Sequence, residues 1–65
     1  MRIETEHIKL DSFLKAVNAV SSGGEAKLLI QDGMVTVNGA PELRRGRKLY
    51  RGDCVELRGR SYIIE

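Results

Sequence analysis

The residues with the most chemical character lie in one short run, Arg44-Arg45-Gly46-Arg47-Lys48, followed by Arg51. Five cations fall between Arg44 and Arg51 with no acid among them. An arginine offers a planar fork that can grip two oxygens of one phosphate, while a lysine acts as a mobile point charge. The pattern therefore points to phosphate recognition. Net charge follows the same division. Residues 1–43 carry four basic and six acidic groups, whereas residues 44–65 carry seven basic and three acidic ones. Such asymmetry is the footprint of a face that meets a polyanion.

Other reactive side chains are too few to build a catalytic or metal centre. His7 and Cys54 stand alone in their types, and a structural zinc needs about four Cys or His ligands. Asp53 beside Cys54 discourages the thiolate, so Cys54 reads as a small apolar residue buried at the start of a strand. His7 reads as a surface residue. Glu25 belongs to a helix cap, and no phosphate-binding glycine loop of the nucleotide-hydrolysing kind is present. No catalytic residue, cofactor, metal or small-molecule substrate is expected.

These groups must be carried by a small frame. Sixty-five residues with one cysteine predict a single domain over 1–65, without a disulfide and with a thin stability margin. A lone thiol fits a reducing compartment. No apolar run approaches the roughly 20 residues a membrane span requires, and Met1 to Lys9 does not read as a signal peptide. A cytoplasmic, monomeric protein is the expectation.

Along the chain, Ile3 and Ile8 flank a polar stretch that could begin with a short strand. Leu10, Phe13, Leu14 and Val17 recur at helical spacing and predict a helix over 10–19, with Phe13 in the core. Ser22-Gly23-Gly24-Glu25 is a capping box: the Ser22 hydroxyl accepts from the Glu25 amide, and Glu25 reaches back to the Ser22 amide. It opens a second helix over 23–32, which Gly33 closes. Met34 to Val37 reads as a strand, Asn38-Gly39 as a hairpin turn, and Ala40 to Leu43 as the return, confined to a sheet edge by Pro41. After the basic loop, Gly52-Asp53 turns into a strand over 54–57. Gly59-Arg60 turns into another over 61–64, in which Tyr62 packs. Tyr50, beside the basic loop, is read as partly buried, with stacking on a base as the alternative. The fold class is α+β, two short helices packed on a small antiparallel sheet.

This order of signals resembles the RNA-binding domain named after ribosomal protein S-four, the alpha-L motif. The resemblance is carried by Lys9-Leu10-Asp11, Phe13-Leu14-Lys15, Ser22, Glu25-Ala26-Lys27, Leu29-Ile30, Gly33, Val35, Val37-Asn38-Gly39 and Gly52-Asp53. It spans about residues 8–57. The resemblance implies an RNA-binding surface made by the two helices and the loop that leads into the sheet. Lys9 takes the place of the family's first basic residue, normally arginine, and Lys27 that of a basic residue on the second helix. Where the family usually has a basic residue after the capping serine, this chain has Gly23. The Gly-Gly pair together with Arg-Arg-Gly-Arg-Lys-Leu looks like a subgroup of very small, free-standing members, often associated with ribosomes or their assembly.

The expected contact surface is Lys9, Lys15, Ser22, Gly23, Gly24, Lys27, Asn38, Arg44, Arg45, Arg47 and Lys48. At Gly23-Gly24 either bare amides hold a phosphate or the surface has shifted toward the arginine loop. The expected partner is structured RNA, ribosomal or transfer RNA, read by shape and backbone, with a ribosome or ribosomal subunit as its setting. If about five phosphates are neutralised, log affinity falls with log salt at a slope near −3.5 to −4.5. The alternative is a protein-interaction module docking on a ribosomal protein or RNA-processing enzyme through the same arginines. An accessory domain of an RNA-modifying enzyme is a third reading, with no length left here for an active site. DNA reading is disfavoured, because neither helix carries the exposed polar row of a major-groove reader.

Overall fold

The structure is a computed structural model and describes residues 2–65. In chain order it runs β1 (Ile8–Lys9), α1 (Leu10–Ala16), α2 (Gly23–Gln31), β2 (Val35–Val37), β3 (Ala40–Pro41), β4 (Lys48–Leu49), β5 (Cys54–Leu57) and β6 (Arg60–Ile63). The α+β architecture expected from the sequence is present, but the strands form two antiparallel units. Four strands make a sheet in the order β3-β2-β5-β6, and β1 pairs with β4 in a separate two-stranded ribbon. Pro41 lies on an edge strand, where its missing N–H costs no ladder bond.

Both helices owe their positions to an apolar face and to the way they end. Leu10, Phe13 and Leu14 of α1 and Ala26 and Ile30 of α2 are fully buried, against Val35, Val55 and Leu49 from the strands. The periodicity predicted a first helix reaching residue 19, yet α1 stops at Ala16 because Asn18 adopts a left-handed φ of 59°. The amide of Asn18 donates to Lys15 O and that of Ala19 to Leu14 O, the paired bonds of a Schellman motif. The second helix ends the same way. Gly33 has φ 75°, its amide donates to Ile30 O, and the Met34 amide donates to Leu29 O.

Two further expectations are corrected. Glu25 N does donate to Ser22 Oγ at 3.2 Å, but the Glu25 carboxylate reaches one residue further back than the box predicts. It accepts from Ser21 N at 2.7 Å and Ser21 Oγ at 3.1 Å, so both Ser21 donors hold the carboxylate while the Ser22 hydroxyl serves the Glu25 amide. The last hairpin turn is Arg58-Gly59, with φ 54° and 78°, one residue earlier than Gly59-Arg60. A two-residue primed turn needs two consecutive left-handed residues, and β6 therefore starts at Arg60. The Asn38-Gly39 turn meets the same requirement as expected, with φ 53° and 86°.

The N-terminal segment is tied down at Ile3, which is buried, donates through its amide to Glu65 O, and accepts from Arg51 Nη2 at 2.9 Å. Arg51 thus serves the fold. Leu14→Ala is expected to cost about 2–5 kcal/mol and to lower the thermal midpoint by roughly 10 °C or more, as read by circular dichroism.

Candidate nucleic-acid interface

The arginine run is held from below by a carboxylate that charge counting does not single out. Glu42 is 7% exposed, the one charged side chain among the buried described residues. Arg44 Nε donates to Glu42 Oε2 at 3.1 Å and Arg44 Nη2 to Oε1 at 3.3 Å, and Arg47 Nη1 donates to Oε1 at 2.8 Å. The Arg44 amide also donates to Oε2. The hydrogen bonds from Arg44, then those from Arg47, hold the Glu42 carboxyl down at about 2. The same pairing raises the pKa of Arg44.

Backbone contacts lock the loop to the first helix. No side chain caps the start of α1. Instead Leu10 N donates to Arg47 O at 2.9 Å and Asp11 N to Arg45 O at 3.1 Å. The loop carbonyls thereby satisfy amides that would otherwise lack partners at the helix N-terminus. Arg45 and Lys48 stay exposed beside the beginning of α1.

The expected cations separate into two groups, one at each end of α1. At its start, Lys9 and Lys48 are register partners across the β1–β4 ribbon, both exposed, while Ile8 and the buried Leu49 form the neighbouring pair. The expected loop over 44–48 therefore ends in a strand, because burying Leu49 against Ile8 draws Lys48 into the ribbon. Arg45 is exposed and free of any carboxylate among the described residues. Arg44 remains 77% exposed in its side chain although it is paired, whereas Arg47 is 31% exposed. At the other end of α1, Lys15 reaches the start of α2. A Cβ built on Gly23 would meet only Lys15 Nζ, at 4.0 Å. Lys27 lies one turn on from Gly23 along α2, on the same face. Gly23 and Gly24 are not required by any close approach within the chain.

Asn38 has a structural occupation. Its Oδ1 accepts from Cys54 N at 2.9 Å and its Nδ2 donates to Asp53 Oδ1 at 3.1 Å, joining the hairpin turn to the Gly52-Asp53 turn. Asp53 closes that turn by accepting from Tyr50 N at 2.8 Å. Cys54 is half-buried. Tyr50, read as partly buried, is instead 45% exposed with its ring 5.9 Å from His7, because β4 ends at Leu49 and turns the next side chain outward. Sequence reasoning missed Glu42. Its signal was an acid placed two and five residues before arginines at the end of an edge strand.

Glu42→Gln is expected to destabilise the fold by about 1–2 kcal/mol in chemical denaturation. Because the folded carboxyl titrates near 2 and the unfolded one near its ordinary value of 4.5, the stabilisation is complete above pH 4.5. It is lost as pH falls from 4.5 toward 2. The variant should flatten that acid limb.

Comparison with known proteins agrees with this geometry. The family model described as "S4 domain" matches residues 1–65. A Bacillus subtilis (strain 168) protein named "Probable ribosome maturation protein RlbA" is 51% identical over 57 residues, covering 88% of this chain and 80% of that protein. "Putative RNA-binding protein YbcJ" of Escherichia coli (strain K12) is 38% identical over 58 residues, covering 89% and 83%. Among solved structures, the 30S ribosomal protein S4e from Thermoplasma acidophilum superposes with a TM-score of 0.77 at 23% identity, a likeness of fold. It covers 92% of this chain and about a third (32%) of that one. With a buried two-helix and antiparallel-strand frame and a full-length family match, this chain belongs to the S4 domain family.

Proposed function

We propose that this protein is a non-catalytic binder of structured RNA that acts in ribosome assembly, with ribosomal RNA as its ligand. Its contact surface is Lys9, Arg45 and Lys48 at the start of α1, the outward edge of Arg44, and Lys15, Gly23 and Lys27 at the far end. The names of the relatives support the setting, and S4 domain membership supports the ligand class.

The observation that carries the proposal is the Lys9–Lys48 pair. Like charges directly opposite across an antiparallel ladder are destabilising, and no carboxylate pairs with either lysine among the described residues. A phosphate between them relieves that repulsion. Exposed Arg45 supplies a fork for a neighbouring phosphate. Arg44 and Arg47 act mainly as the scaffold of the loop, since Glu42 already neutralises part of their charge. Lys15 and Lys27 extend the contact along α1 and α2, where the free amides at Gly23 and Gly24 favour an anion. Because A-form helices hide their base edges in a deep, narrow groove, paired regions are read by backbone and shape.

A protein contact is the second reading. It is favoured by Met34 and Leu43, which are 51% and 60% exposed just before β2 and just after β3. Nuclease treatment of the bound particle separates the two readings: an RNA contact is lost and a protein contact survives.

Replacing Lys9, Arg45 and Lys48 together by alanine is expected to weaken binding to a ribosomal RNA fragment. It should also make the slope of log affinity against log salt shallower by about 2. An unchanged slope in a filter-binding titration removes this surface from the proposal.

A further inference from the structure

Away from the arginine loop, the Schellman turn after α1 faces the β5–β6 hairpin across a cleft of about 340 Å³. That volume is in the range of small-ligand sites. Its wall includes Val17, Asn18, Leu57, Arg58, Arg60 and Tyr62, and three features of these residues need an explanation.

The first is the side of the sheet on which Arg60 lies. Cross-strand partners share a face, and Arg60 pairs with Leu57 as Tyr62 pairs with Val55. Leu57 and Val55 are buried in the core. Arg60 is therefore a cation on the core-facing side of the sheet, without a carboxylate partner among the described residues. It is tolerated there because α1 ends at Ala16 and leaves the start of β6 exposed. The second feature is Arg58, which holds φ 54° at a turn position that strongly favours Asn, Asp or Gly. A left-handed conformation is unfavourable for an ordinary residue, so an arginine here is not explained by the turn. Its Nη2 lies 3.7 Å from Glu25 Oε2 and its side chain stays 52% exposed, too loose a pair to account for it. The third is Tyr62, half-buried, with its ring standing edge-on to Phe13 at 5.8 Å. The buried Phe13 fixes one side of the ring, and the ring lines the cleft.

Together these make a fixed aromatic and aliphatic floor beneath two arginines. We propose that this cleft receives one unpaired nucleotide of the bound RNA, its base against Tyr62 and its phosphates on Arg58 and Arg60. The proposal rests on the RNA-binding reading above and adds to shape recognition a preference for a helix with an extruded base. Stacking on an aromatic tolerates any base, since every base has a π-face, and the arginines supply the backbone charge.

The test compares a continuous RNA hairpin with the same hairpin carrying one bulged uridine, using the full chain and two variants, Arg58→Asn and Arg60→Ser. Asparagine suits the turn at least as well as arginine, so the first variant keeps the fold. The bulged hairpin is expected to bind about tenfold more tightly than the continuous one, and each variant should shrink that difference while leaving the continuous hairpin nearly unchanged. Equal affinity for the two hairpins overturns the cleft and leaves the RNA-binding reading intact. Should neither hairpin bind, the RNA-binding reading fails. A uridine tetranucleotide followed by amide NMR then decides the cleft separately. Shifts at Gly59, Arg60 and Tyr62 that Arg60→Ser abolishes support it, and their absence overturns it.

Discussion

Glu42 is the contact on which the cationic surface depends. A carboxylate with little exposure, placed just beyond the edge strand β3, takes three guanidinium hydrogen bonds from Arg44 and Arg47. A buried charge is expensive unless it is paired and hydrogen-bonded, so the loop must fold over it. The same folding brings the carbonyls of Arg45 and Arg47 to the free amides at the start of α1. Four like charges within five residues would repel one another into extended conformations if left alone. Here one acid converts them into an ordered platform whose remaining cations stay exposed.

The two helices are short, and their shared mode of ending shapes the surface. Each finishes in a Schellman motif, with Asn18 in one and Gly33 in the other as the left-handed residue. Stopping α1 at Ala16 places Lys15 beside the start of α2. It also leaves the end of the β5–β6 hairpin bare, where Arg60 faces the same side as Leu57. A helix continued to residue 19 would alter both features. The proposed contact surface thus follows as much from where α1 ends as from its cations.

Like charges held together are a cost in the free protein and a gain in a complex. Lys9 and Lys48 face each other across the ribbon only because Ile8 and Leu49 bury their side chains in the neighbouring register position. Hydrophobic burial outweighs the exposed repulsion, which solvent and salt screen. In a domain of this size, with a stability of only several kcal/mol, such a strain is tolerable when a polyanion relieves it.

Much of the frame was legible in the residues alone. The apolar spacing of Leu10, Phe13 and Leu14, the Ser22 cap, Gly33 and the Asn38-Gly39 turn each encode local backbone geometry, and all appear as read. Local signals are dictated by bonds within a few residues, so neighbouring letters suffice. The basic character of residues 44–48 and the family resemblance were equally plain. Three matters were decided by the tertiary structure. The end of α1 depended on Asn18 turning left-handed where the apolar period still ran through Val17. The start of β6 depended on Arg58, not Arg60, taking the turn, and a one-residue shift in a strand exchanges its faces. The division of the arginines into those bound by a carboxylate and those left exposed depended on Glu42 being buried beside Arg44 and Arg47. Composition counts Glu42 as one acid among nine. Its loss of solvent, which makes it the anchor of the loop, exists only once distant strands and helices close over it.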